Sequence, residues 1–362
     1  MGSTHQPELD LDSDVVTLTR TLCDIPSVSG TEQAIADAVE SALRGLGYLE
    51  VLRDGDAVVA RTHLNRDTRV LLAGHLDTVP VKNNLPTWVT GAADAELVHG
   101  RGTVDMKGGV AVALRLAATV REPRHDVTYV FYDNEEVASV RNGLGRLVRE
   151  HPEWLAAAFA ILGEPTDQVV EGGCQGTMRA RITVAGVAAH SARSWTGRNA
   201  IHAAADVLGI LNRYQARMVD VEGLRYREGL NAVHIEGGIA GNVIPDRCVI
   251  HVNFRFAPDR DATDAEKHLR GVFEGYDLVV TDAAPGARPG LDHPAVAEFV
   301  ATVGRPAAPK LGWTDVARLS AMGIPAVNYG PGDPQLAHTD DERCPAAGIR
   351  ECERVLHAWL SA

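Results

Sequence analysis

Four short apolar runs constrain this chain more than anything else in it: RVLLAG (Arg69 to Gly74), VTYVFYD (Val127 to Asp133), AFAILG (Ala158 to Gly163) and IPAVNYG (Ile324 to Gly330). Each is bounded like a strand and lacks the alternation of a strand with one wet face, so each reads as a strand covered on both sides. Helical stretches such as GGVAVALRLAATV (Gly108 to Val120) separate them. Strands of this kind alternating with helices predict an α/β fold built on a mostly parallel mixed sheet flanked by helices. Ahead of them, Asp12 or Ser13 can cap a helix carrying Val15, Val16, Leu18 and Leu22 that ends before Pro26, and a second helix runs from Thr31 to Gly45. VLRDGDAVVAR reads as a hairpin turning at Asp54 and Gly55.

Between Gln175 and Gly290 the pattern changes. RARITVAG, the stretch around NAVHIEGGIAG, and RCVIHVNFRF alternate apolar and polar residues with period two, as strands with one solvated face do. Helices are predicted over 199–218 and 265–273. Two helices and about four one-sided strands make a small α+β domain. It interrupts the first domain, because IPAVNYG beyond it resembles the earlier buried strands. The expected division is 1–174 and 289–362 for the first domain and 175–288 for the inserted one, with hinges at QGT (Gln175 to Thr177) and ARPG (Ala287 to Gly290).

Composition narrows the function classes. The formal charge is −13, from 35 Lys and Arg against 48 Asp and Glu, and no run of basic residues accumulates, which argues against a nucleic-acid surface. No apolar run approaches the roughly 18 residues of a membrane span, and the polar, acidic start is unlike a secretion signal. Cys23, Cys174, Cys248, Cys344 and Cys352 are odd in number and form no CxxC pair, as expected of reduced thiols in a cytoplasmic protein.

Chemistry clusters where those buried strands end. His75 and Asp77 follow RVLLAG, Glu135 and Glu136 follow VTYVFYD, Glu164 follows AFAILG, and His338 lies beyond IPAVNYG. The carboxyl ends of strands in an open α/β sheet line the crevice where ligands bind, so residues far apart in sequence should converge. Asp105, in the Gly-rich GRGTVDMKGG before a helix, can join them. Two His and three carboxylates without a Cys ligand fit a divalent-metal site, and one shared carboxylate makes a two-metal centre. Zinc is the expected metal, with cobalt or manganese able to substitute. Asp77, two residues from His75, is placed to orient the imidazole rather than to bind metal. In the Glu135-Glu136 pair one carboxylate can bind metal while the other takes a proton from a water.

GHLDTVP, GRGTVDMKGG, the Glu-Glu pair, ILGEP and LAHTDDE, in this order along the chain, resemble the co-catalytic zinc metallopeptidase family of the aminoacylases, acetylornithine deacetylase, carboxypeptidase G2 and the succinyl-diaminopimelate desuccinylases. The resemblance implies a catalytic domain interrupted by a ferredoxin-like dimerisation domain, and hence a homodimer. It gives His75, Asp105 and Glu164 to one zinc and Asp105, Glu136 and His338 to the other, two per subunit with Asp105 bridging, and makes Glu135 the general base. GVAAHSAR resembles the motif whose histidine, here His190, reaches the partner subunit's site and steadies the oxyanion. AGNVIPDRCVIHVNFRF resembles the stretch whose Asn and Arg, here Asn242 and Arg255, bind the substrate carboxylate. GWTDVAR resembles a substrate loop, which implicates Thr314, although Trp313 stands where a Gly is more usual. Longer strings, among them NEEVASVRNGLGRL, AHSARSWTGRNAIH and GPGDPQLAHTDDERCP, are most similar to the desuccinylase branch. That branch implies hydrolysis of a small molecule, N-succinyl-LL-2,6-diaminopimelate, with deacylation of other N-acyl amino acids or glutamate carboxypeptidase activity as the alternatives.

Overall fold

The four apolar runs form the adjacent central strands of an eight-stranded mixed sheet. In a computed structural model that describes residues 8–361, the order across the sheet is Glu50–Asp54, Ala57–Arg61, Asp126–Tyr132, Arg69–His75, Phe159–Leu162, Ala326–Asn328, Glu171–Gly172 and Ala308–Pro309. Arg69–His75 is parallel to neighbours on both sides, Ala326–Asn328 is parallel to Phe159–Leu162, and the Glu50–Arg61 hairpin adds antiparallel strands at one edge. The chain leaves Arg69–His75 to one side and later returns on the other, which opens a crevice at the carboxyl ends of these strands.

Helices cover the sheet because their apolar faces match it. Val15–Asp24, Lys107–Thr119 and Ala346–Ser361 pack into one core with the sheet, where Trp359, Phe159 and Phe299 meet edge to face or tilted. The first of these is capped by Asp14, whose carboxylate accepts from the amides of Val16 and Thr17, rather than by Asp12 or Ser13. Gly109 lets Lys107–Thr119 lie directly on a strand exit, since a Cβ there would stand 2.1 Å from the carbonyl oxygen of Gly163. That contact brings the segment after Asp105 against the segment before Glu164.

The chain groups into two compact units. One holds the chain up to Gly172, Pro289–Ala308 and the chain from Arg318; the other holds Gly173–Arg288 and Pro309–Ala317. The sequence reading places all of 289–362 in the first domain, whereas Pro309–Ala317, with Thr314, sits with the inserted unit. Gln175 explains this, because its amide donates to the carbonyl of Gly312 at 3.1 Å.

In the second unit a four-stranded antiparallel sheet runs in the order Gly229–Gly237, Arg247–Phe256, Gly176–Ala185, Asp277–Ala284. With helices Ala200–Arg213 and Ala262–Val272 this is the split βαβ, ferredoxin-like arrangement. The first helix stops at Arg213, short of the expected 218, because Met218–Val221 pairs with Leu224–Arg227 as a hairpin. Ile182, Ile250, Phe254 and Leu269 lie in its core. The Gly229–Gly237 strand is not one-sided as expected. It is an edge strand with Val233 and Ile235 exposed at 63% and 46%.

Candidate metal centre

Strand register brings the expected ligands to one end of the sheet. Ala73 pairs with Val130 and Leu162, so His75, Tyr132 and Glu164 stand at equivalent positions on neighbouring strands or just past them. Glycine precedes both His75 and Glu164, for a reason visible in the packing. The buried Met106 side chain lies over Gly74 and Gly163, and a Cβ at either would come within 2.9 and 3.1 Å of its methyl carbon.

Asp105 is the centre of the cluster. Its Oδ1 meets His75 Nε2 at 3.1 Å and its Oδ2 meets His338 Nε2 at 3.2 Å, so each carboxylate oxygen faces a different imidazole. His338 Nε2 also lies 2.8 Å from Glu136 Oε1. One ligand atom from each of His75, Asp105 and Glu136 lies within 4.8 Å of the others. Glu164 is buried at its strand exit, and Glu135 lies half-buried beside Glu136.

Asp77 works differently from the sequence expectation in one respect. Its backbone carbonyl, rather than its carboxylate, is the nearer partner of His75 Nδ1, at 3.0 Å against 3.5 Å. That contact still fixes Nε2 as the nitrogen facing Asp105. The carboxylate accepts from the amides of Glu135 (2.9 Å) and Glu136 (3.0 Å) and from Ser29 Oγ (2.6 Å).

The electrostatics fit a cation. Burial works against a charged His75, yet Asp105 and Asp77 push its pKa well above the usual value. His338 is pushed up to about 10 by Asp105 and Glu136. Burial opposes ionisation of Asp105, and hydrogen bonds from His338 and His75 overcome it and hold its carboxyl well below the usual range. Carboxylates that draw protons onto both neighbouring rings form a donor set that a divalent ion satisfies. A second metal-capable group, Asp54, Glu150 and His151, lacks that character because Arg146 already sits 3.3 Å from Asp54 Oδ1.

Two residues without an expected role support the cluster. Glu342, 1% exposed, accepts at Oε1 from the amides of Gly102, Val104 and Asp105 and at Oε2 from Arg101. It lies four residues past His338, so it ties the two ligand-bearing segments together. Lys107, also 1% exposed, donates to the carbonyls of Leu22 and Ile25, joining the Asp105 loop to the end of the first helix.

The remaining candidates lie in the second unit. His190 is exposed, and its Nδ1 accepts from the amide of Ala192 at 3.0 Å, so the neutral ring carries its proton on Nε2. Asn242 is beside it, its carbonyl accepting from the amide of Ser191, and His190 pairs with Val243. Arg255, opposite Thr177 and Gly229, stands near the far end of the strand Arg247–Phe256, which begins five residues after Asn242. Eight residues of strand separate Arg247 from Arg255, about 26 Å at roughly 3.3 Å per residue. That length of strand separates Arg255 from the loop that carries Asn242. Thr314 is buried, and its carbonyl accepts from Cys174 Sγ and from the amide of Ala317.

The model of peptidase family M20/M25/M40 matches residues 71–362. A Mycobacterium tuberculosis protein provisionally assigned as a succinyl-diaminopimelate desuccinylase is 55% identical over 97% of this chain and 99% of its own. The succinyl-diaminopimelate desuccinylase of Corynebacterium glutamicum is 48% identical over 100% of both. Among solved structures, a Staphylococcus aureus tripeptidase superposes with a TM-score of 0.78 at 22% identity, covering 96% of each chain. A Bacillus subtilis protein described as a dinuclear metal-binding peptidase of the M20 family superposes with a TM-score of 0.69 at 19% identity, also covering 96% of each. No helix among the described residues is long and apolar enough to cross a membrane.

Proposed function

Because this chain belongs to peptidase family M20/M25/M40, we propose that it hydrolyses the amide of N-succinyl-LL-2,6-diaminopimelate to succinate and LL-2,6-diaminopimelate, a step of lysine and diaminopimelate biosynthesis in the cytoplasm. The observation that carries the chemistry is Asp105, with an imidazole at each carboxylate oxygen. The choice of substrate rests on the relatives at 55% and 48% identity, which align along nearly the whole chain.

His75, Asp105 and Glu164 would hold one zinc ion and Asp105, Glu136 and His338 the other, with cobalt or manganese able to replace zinc. When bound, the pair supplies Lewis-acid polarisation of the amide carbonyl and a water of lowered pKa. Glu135, set beside the ligand Glu136 by the amides that Asp77 holds, takes the water proton and returns it to the leaving amine. His190 donates from Nε2 to the carbonyl oxygen as charge builds there. Arg255 pairs with a substrate carboxylate, and Thr314 contacts the substrate from its own loop.

His190 and Asn242 act together, from the second subunit of a homodimer. Their distance from Arg255 within one chain supports this reading, as do the exposed Val233 and Ile235 on an edge strand able to pair across a twofold axis. The inserted unit, expected at 175–288, is then the dimerisation domain.

The test is hydrolysis of N-succinyl-LL-diaminopimelate beside N-acetylornithine, with zinc and after chelation. Zinc-dependent cleavage of the succinyl compound in preference to the acetyl compound is expected. Faster cleavage of N-acetylornithine would replace this substrate with that of a deacetylase.

A further inference from the structure

The turn that carries Glu135 and Glu136 is held from behind by a segment containing no metal-ligand candidate. Three successive amides each donate to a carboxylate oxygen: Asn134 to Glu32 Oε1 at 3.0 Å, Glu135 to Asp77 Oδ1 at 2.9 Å, and Glu136 to Asp77 Oδ2 at 3.0 Å. Asn134 makes this possible by adopting a left-handed conformation, φ 59°, which Asn tolerates better than most residues.

Glu32 is fully buried at 0% exposure, the amide of Gly30 also faces its carboxylate, and its Oε2 has no hydrogen-bond partner among the described residues. A buried carboxyl with an orphaned oxygen costs stability unless its other bonds serve a purpose. Capping is not that purpose, since the Glu32 side chain makes no cap bond to the helix Gln33–Gly45 that follows it. The segment before it is laced to the site instead. Ser27 Oγ donates to the carbonyl of Leu76, the amide of Ser29 to that of Thr78, and Ser29 Oγ to Asp77.

We propose that Glu32 is a positioning residue for hydrolysis. It anchors the first amide of the Asn134–Glu136 turn, Asp77 anchors the next two, and together they aim Glu135 at the reacting water and Glu136 at the metal centre. This rests on the roles proposed above for Glu135 and Glu136.

The experiment compares Glu32→Ala with Glu32→Gln in the zinc-loaded protein, reading kcat, KM and amide hydrogen exchange at 134–136. Gln keeps an acceptor for Asn134, whereas Ala removes it. Glu32→Ala should lower kcat roughly 10- to 100-fold, leave KM within about twofold, and speed exchange of these amides about tenfold. Glu32→Gln should restore both readouts to near the parent values. Should the Ala variant fail to fold, Glu32→Asp, which withdraws the oxygen by one methylene, provides the same contrast with Gln. A variant that lowers Tm but leaves kcat and exchange at 134–136 unchanged overturns the proposal, and so does equal loss in the Ala and Gln variants. Exchange is read without turnover, so an active Glu135→Gln would remove the assigned base while leaving the anchoring result to be judged separately.

Discussion

The two units hold their functional groups in opposite ways. Around Asp105 every side chain but the exposed His338 is buried or half-buried, and the cluster is bonded by others that are themselves held: Asp77 at 0% exposure by two amides and a hydroxyl, Glu342 at 1% by three amides and a guanidinium. In the inserted unit His190 and Asn242 are exposed on a short two-stranded connection, and burial holds the pKa of Arg255 below its usual value with Arg179 adding to the effect. A preorganised centre suits chemistry that needs fixed geometry. Exposed groups with few internal partners suit a site completed from outside the chain.

The strongest test of the preorganised side is Glu135→Gln. It should retain both metal ions and lose roughly 10²- to 10⁴-fold in kcat, with metal content and kcat measured on the same preparation. Full turnover by the variant would move the base elsewhere. Next in size, His190→Ala should lose roughly 10²- to 10³-fold, the worth of one oxyanion donor. Mixing it with Glu135→Gln sharpens the comparison between units. Heterodimers containing one intact base and one intact histidine in the same site should regain activity. Mixtures that stay inactive would place His190 in its own chain's site or outside catalysis.

How far each unit was legible follows from the same contrast. The metal-ligand candidates other than Asp105 could be read because they follow buried strands, and the register of Arg69–His75 against its neighbours delivers His75, Glu136 and Glu164 to one end, while Asp105 was marked by the Gly-rich turn before a helix. Their supports could not. Glu32 meets Asn134 across 102 positions, and Glu342 meets Gly102 to Asp105 across 237 to 240. A carboxylate that binds backbone amides leaves no side-chain pairing to recognise. In the inserted unit, alternation located the main strands but not the Met218–Arg227 hairpin, whose apolar residues also suit a helix end. Nor does alternation show that Arg255 lies at the end of its strand away from the loop that carries Asn242.

A smaller effect is expected at Arg255. Arg255→Gln should raise KM roughly 10- to 100-fold, as loss of a hydrogen bond to a charged group predicts, while kcat changes little. If kcat fell and KM held, Arg255 would instead act on the transition state, and the contrast between a fixed centre and a binding surface would weaken.

The smallest predicted effect concerns stability in the unit that bears the metal centre, at the end of the sheet away from the ligands. Asp126 is 5% exposed and accepts from Thr62 Oγ1, the amide of Leu64 and the amide of Arg66. Burial pushes its pKa up, but those hydrogen bonds and Arg69 outweigh it and hold the carboxyl below its ordinary value. A carboxyl lowered on folding stabilises the protein above its unfolded pKa of about 3.9 and ceases to do so as pH falls through the folded value. Asp126→Asn should therefore lower the urea midpoint near pH 7, with the difference from the parent shrinking as pH falls below about 4. A difference that stays constant down to low pH would assign the loss to altered packing or hydrogen bonding rather than to charge. Buried carboxylates would then serve this unit by shape alone, and the electrostatic part of its contrast with the inserted unit would be confined to the residues around Asp105.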